Sequence, residues 1–113
     1  MEGSAVEKDD RKAADCFKET ADRGYPMGMW ALGQSYLHGI GVQRDEKKAV
    51  ALYQKAAGMN LAAAYSALAQ CYRYGAGVTE DKAAAVEMYK QAFALGQGLA
   101  ADEIGTMSVS YTH

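Results

Sequence analysis

Few side chains in this 113-residue sequence stand at spacings that support chemistry. The candidate nucleophiles and metal ligands are Cys16, Cys71 and the single interior histidine, His38. His38 has no Glu-x-x-His or Cys-x-x-Cys partner to bring a second ligand onto the same helix face or turn, so no metal role is expected of it. The two cysteines stand far apart, and each reads as a small packed thiol rather than half of a bridge. The remaining candidate is a glycine-rich stretch, Gly39-x-Gly41-Val42-x-x-Asp45. A phosphate cradle would need Gly-x-Gly-x-x-Gly or a Gly-Lys-Ser/Thr ending, and the stretch has neither. No Ser-His-Asp or Cys-His arrangement stands out, so no catalytic residue, cofactor or metal is expected.

The glycine stretch gains its meaning from recurrence. It returns as Gly75-x-Gly77-Val78-x-x-Asp81, 36 positions later, with a weaker copy at Gly3-x-Ala5-Val6-x-x-Asp9. A period of roughly 20–50 residues predicts a stacked array in which each unit buries its core against its neighbours. Within the period two helices are predicted. Helix B follows the aspartate: Ala49, Leu52, Tyr53, Ala56 and Ala57 recur at three-and-four spacing. Ala13, Cys16, Phe17, Thr20 and Ala21 make the earlier copy of this stripe, and Ala85, Met88, Tyr89, Ala92 and Phe93 the later one. Asp9, Asp45 and Asp81 are predicted N-caps, and Gly24, Asn60 and Gly96 are predicted C-caps. Helix A opens at Pro26 in the first copy and carries Met29, Leu32 and Tyr36, then Tyr65, Leu68 and Tyr72, ending at Gly39 and Gly75. Gly28, Gly33, Ala64 and Ala69 are small enough for a neighbouring helix to approach closely.

The expected fold class is therefore all-α, with antiparallel helix pairs in one array over residues 1–113 and periods of about 3–38, 39–74 and 75–110. Gly39, Gly41, Asp45, Gly75, Gly77 and Asp81 are structural residues of the repeat. The abrupt start, and Val109-Ser110-Tyr111-Thr112-His113 as a poor helix former, predict an excised piece of a longer repeat protein with a frayed C-terminal end.

The pattern Ala/Gly-x-x-x-Leu-Gly/Ala-x-x-Tyr-x-x-Gly-x-Gly-Val-x-x-Asp, then Ala, an aromatic, and Ala-Ala, resembles the Sel-one-like repeat, a relative of the tetratricopeptide repeat. One unit runs from Gly28 through Leu32, Gly33, Tyr36, Gly39, Gly41, Val42, Asp45, Ala49 and Tyr53 to Asn60. A second runs from Ala64 through Leu68, Tyr72, Gly75, Gly77, Val78, Asp81, Ala85 and Tyr89 to Gly96. The resemblance implies a right-handed α/α superhelix and a role in holding other proteins, as adaptors do. Some cysteine-rich bacterial relatives bind or cleave β-lactams, but they carry regular cysteine pairs within each repeat, and Cys16 and Cys71 do not form one. A hydrolase is accordingly the least supported alternative.

Bulk composition narrows the partners. The formal charge is −2 with both signs interspersed, so no basic stripe exists to neutralise phosphates and no nucleic-acid partner is expected. No apolar run of about twenty residues could span a bilayer, and the first twenty residues are too charged for a secretory signal. A cytoplasmic setting is expected for the chain as given. The partner is expected to be a protein or peptide, with weak self-association through uncapped ends as an alternative.

Helical periodicity places Met27, Trp30, Gln34 and His38 on the side of helix A away from its core stripe, and Gln70, Arg73 and Tyr74 on the corresponding side of the next one. By analogy with tetratricopeptide arrays this face lines the concave side. Aromatic anchors, an arginine and amides able to hold an extended backbone suit an interface centre. Trp30 equally suits a packing role at an array end.

Overall fold

The computed structural model describes residues 5–96, which form helices separated by short turns, with no strand among them. They are α1 (Ala5–Asp22), α2 (Pro26–His38), α3 (Glu46–Gly58) and α4 (Ala62–Tyr74), followed by α5, helical from 82 to 96. In the terms of the repeat, α2 and α4 are A helices, and α1, α3 and α5 are B helices. Each of α1 to α3 packs on its successor in the chain, giving the antiparallel α-solenoid that the period predicts. Residues from 97 onward lie outside the described part, so the expectations for Ala100, Ile104, Gly105 and Ser108, and the fraying of 109–113, are not addressed by it.

Helix boundaries follow local chemistry. Pro26 occupies the first turn of α2, where its missing N–H costs nothing. Asp45 caps α3, its carboxylate accepting from the Lys48 amide at 3.1 Å, and Asp81 does the same for the Ala84 amide at 3.1 Å. Gly39 and Gly75 close α2 and α4 in the left-handed region, at φ 66° and 69°. Asn60 reaches φ 67° after α3, and Gly24 reaches 91° after α1.

Two predicted caps are overturned. Asp9 lies inside α1, which already begins at Ala5. The reason is the residue at position 5: Gly41 and Gly77, its equivalents, both adopt φ 77°, whereas an alanine strongly prefers right-handed backbone. With no left-handed turn to stop it, the helix-favouring sequence AVEKDDRKAA runs on. Gly96 is still helical and is absent from the positive-φ residues; glycine permits a left-handed closure but does not impose one.

The core joins Met29 of α2 with Ala49, Val50, Tyr53, Ala56 and Ala57 of α3 and Ala64, Ala67, Leu68 and Cys71 of α4. Small residues set the spacing. A Cβ on Gly33 would lie 2.7 Å from Cε1 of Tyr53, and one on Gly28 would lie 2.7 Å from the Ala21 amide nitrogen, so α2 sits directly on its neighbours at both glycines. The second glycine of each loop works across the repeat boundary: a Cβ on Gly77 would stand 2.6 Å from the Glu46 carbonyl oxygen at the start of α3, and Gly41 presses likewise on the Asp10 carbonyl of α1.

The packed thiol predicted for Cys16 is corrected: Cys16 is exposed, whereas Cys71 is buried. Cys16 lies two residues, about 200° of helix rotation, beyond Ala14, the residue α1 buries fully. Leu52, at the same repeat position, reaches back to the core with a longer side chain. The third stripe is also only partly realised. Ala85 and Ala92 are buried, but Val86, Tyr89 and Phe93 are 50%, 36% and 61% exposed, against 5%, 0% and 3% for Val50, Tyr53 and Ala57 one period earlier. The difference is α4, which covers α3; α5 has no helix following it within the described residues.

Candidate functional site

The predicted site residues divide into three groups along the A helices. Met27 stands in the first turn of α2 and is 57% exposed; eleven residues of helix, about 16 Å, separate it from His38 at the other end. Trp30 is half-buried and rests against the core cluster, so part of its ring is committed to packing. Gln34, one turn on, is half-buried, and its Oε1 accepts a 2.6 Å hydrogen bond from the hydroxyl of Tyr53. Tyr53 is otherwise fully buried. Desolvation, and secondarily Cys71, push its phenol well above the ordinary value, so the hydroxyl is a proton donor at neutral pH.

The third group is brought together. His38 from the end of α2, and Gln70 and Tyr74 from the end of α4, line a groove of about 340 Å³ with Leu37, Cys71 and the start of α3. His38 and Gln70 are exposed, and Tyr74 is 70% exposed. Arg73 does not line the groove; its guanidinium lies 5.3 Å from the centre of the Tyr74 ring, a cation–π distance that steadies the ring from outside. Sequence reasoning missed Arg44 and Glu46, which complete the wall and form an ion pair with each other. Arg44 lies in the loop before α3 and Glu46 is the first residue of that helix, and nothing in the A-helix periodicity points to them.

The groove suits contact rather than bond-making. Cys71 shares it with His38, but burial first and the Glu46 charge second raise the thiol to about 11. It is therefore protonated at neutral pH and a poor nucleophile. Among the described residues no cluster of three or more His, Cys, Asp or Glu side chains could hold a metal ion, and no helix is long and apolar enough to cross a membrane. What remains is an amide, an imidazole and a phenol above a floor of Leu37 and Cys71, with a self-neutralised ion pair at the edge.

A roomier depression of about 690 Å³ lies between the start of α3 and the 75–79 loop. It has a counterpart one repeat earlier, about 380 Å³, between Asp10, Arg11 and the 39–43 loop. A hollow repeated at the same register is a product of the architecture. The groove at His38, Gln70 and Tyr74 is less regular, since His38 and Tyr74 occupy the same repeat position with different residue types, although Gln70 repeats Gln34.

This fold and this face define an α-helical repeat protein of the solenoid class. The Sel1 repeat family model matches residues 1–25, 26–61 and 62–97, and the chain belongs to that family. A Sel1 repeat protein from Oxalobacter formigenes is 30% identical, with a TM-score of 0.74 over 86% of this chain and 28% of that one. A protective antigen present in uropathogenic Escherichia coli strains, displaying an SLR fold, is 29% identical with a TM-score of 0.72, over 86% and 21% of the two chains. Cysteine rich protein B of Helicobacter pylori is 27% identical with a TM-score of 0.70, over 80% and 68%. The chain thus spans well under a third of the length of the first two proteins. No curated protein sequence matches it.

Proposed function

We propose that this chain is a non-enzymatic scaffold that seats a peptide or protein segment on the face formed by α2 and α4. Repeats of this family generally mediate protein–protein interactions. The observation that carries the proposal is that His38, Gln70 and Tyr74, none of them needed by the core, line one groove between the ends of both A helices. Tyr74 offers a large, mostly exposed aromatic surface beside polar groups, the composition that anchors interface centres.

The test uses the full chain, immobilised and panned against a random dodecapeptide display library, followed by titration of a selected synthetic peptide. Tyr74→Ala is expected to weaken binding by about 2 kcal/mol with helicity unchanged, and His38→Ala by less. Failure to select any peptide, or affinities indifferent to Tyr74→Ala in a folded variant, refutes the proposal.

A further inference from the structure

The hydrogen bond between Tyr53 and Gln34 joins the centre of the core to the proposed binding face, and among the described residues it occurs in one repeat only. Three residues make it possible. Gly33 has no side chain, so the Tyr53 ring passes against the α2 backbone, where a Cβ would come within 2.7 Å of Cε1. The ring passes Gly33 to the neighbouring residue, and its hydroxyl donates to Oε1 of Gln34 at 2.6 Å. One period later the same positions hold Ala69, Gln70 and Tyr89. There a methyl group occupies the gap, Tyr89 is 36% exposed, Gln70 is exposed, and no Tyr89–Gln70 bond forms among the described residues. One period earlier Phe17 stands where Tyr53 does, without a hydroxyl.

The bond decides what Gln34 presents. A carboxamide has one acceptor oxygen and an NH₂ with two donors. The buried phenol has no other acceptor for its proton among the described residues, and turning the amide end for end would leave that proton unpaired, so Oε1 faces Tyr53 and Nε2 is the end left for other contacts. No described side chain or backbone carbonyl accepts from Nε2. We infer that Gln34, held by Tyr53, is a preset hydrogen-bond donor on the α2 face, and that its acceptor is a main-chain carbonyl of an extended peptide lying across α2 beside Trp30. Trp30 is one helical turn before Gln34 on the same face, so an extended segment resting on the indole brings its carbonyls over the amide. Tyr53 acts through Gln34 and is a positioning residue; Gln70, lacking the tether, contributes an adaptable amide instead.

This inference rests on the proposed binding role of the same face, and the experiment separates the two. With the display-selected peptide described above, Gln34→Leu is expected to weaken binding about tenfold, the effect of one well-made hydrogen bond. Tyr53→Phe retains the ring and loses only the tether; it is expected to weaken binding about two- to tenfold, through the freedom returned to one side chain. A backbone ester placed at successive peptide positions replaces one amide carbonyl with a weaker acceptor. At the contacting position its penalty should be present in the unmodified protein and absent in Gln34→Leu, which a double-mutant cycle isolates from any general loss of stability. If no peptide is selected, the binding role itself fails. If peptides bind and depend on Tyr74 but not on Gln34, or no ester position couples to Gln34→Leu, the inference about Gln34 is overturned while the binding role stands. If Tyr53→Phe binds as the unmodified protein does, the tether has no positioning role.

Discussion

Replacing Gly77 by alanine should cost far more stability than replacing Gly75, although both glycines have nearly the same φ. Gly75 sits at φ 69° and Gly77 at φ 77°. At either position an alanine incurs the left-handed penalty of about 1–2 kcal/mol, offset by about 0.4–1 kcal/mol from its stiffer unfolded chain. That leaves a net loss of about 1 kcal/mol. At Gly75 nothing further is added, because the nearest atoms to a new Cβ, on Glu80, stand 3.4 Å away. At Gly77 the new carbon would lie 2.6 Å from the Glu46 carbonyl oxygen, 2.8 Å from its carbon and 2.9 Å from Cγ2 of Val50. Two of these are backbone atoms in the first turn of a helix and cannot swing aside, so the loop must lift, at a further cost of about 1–3 kcal/mol typical of overpacking. Gly77→Ala should therefore lose about 3 kcal/mol in total and Gly75→Ala about 1. Urea unfolding followed through Trp30 fluorescence reads the difference as a gap of roughly 1–2 M between the two midpoints. Equal midpoints would show that the loop does not bear on α3.

Two further outcomes are expected. Asp45→Ala and Asp81→Ala should each destabilise by about 1 kcal/mol through loss of a helix cap, while Asp9→Ala, inside α1, should stay within about 0.5 kcal/mol of neutral; thermal unfolding by circular dichroism checks all three. Folding raises the Cys71 thiol from 9.0 to about 11, so its contribution is complete below pH 9 and is lost as pH rises through about 11, to a limit of about 2–3 kcal/mol. Tyr53, raised in the same direction, extends the loss to higher pH. Cys71→Ala should flatten the stability profile between pH 9 and 11, and an unchanged slope in that variant would rule out the thiol as its source.

Most of the fold was legible because the repeat states each instruction more than once. The caps at Gly39, Gly75, Asp45 and Asp81, and the close approach at Gly28 and Gly33, follow from residue type alone. The failures fall where one copy lacks something the others have. Position 5 has a methyl group where a left-handed turn needs none, so Asp9 lost its capping role. Tyr89 and Phe93 match buried positions on α3 but lack the covering helix within the described residues, and periodicity cannot report a missing neighbour. Of the candidate site, the common side of the A helices on which His38, Gln70 and Tyr74 fall was readable from helical periodicity, and the structure brings the three to one groove. The engagement of Gln34 by Tyr53 was hidden, since residues 19 apart share no helix and the contact depends on a third residue, Gly33. Arg44 and Glu46 were invisible for the same kind of reason.

The pressure of Gly41 on α1 and of Gly77 on α3 also sets where the array can be divided. Each loop joins the two helices of one repeat yet rests on the B helix of the repeat before it, so the 36-residue sequence unit is not the unit of cooperativity. A fragment cut at the repeat boundary after residue 61 would keep α3 and discard the loop that lies over its first turn. The smallest energetically closed segment instead straddles that boundary, running from the start of a B helix to the following Gly-x-Gly-Val. Adjacent segments of this kind share a loop or a helix, and they should melt together rather than one repeat at a time.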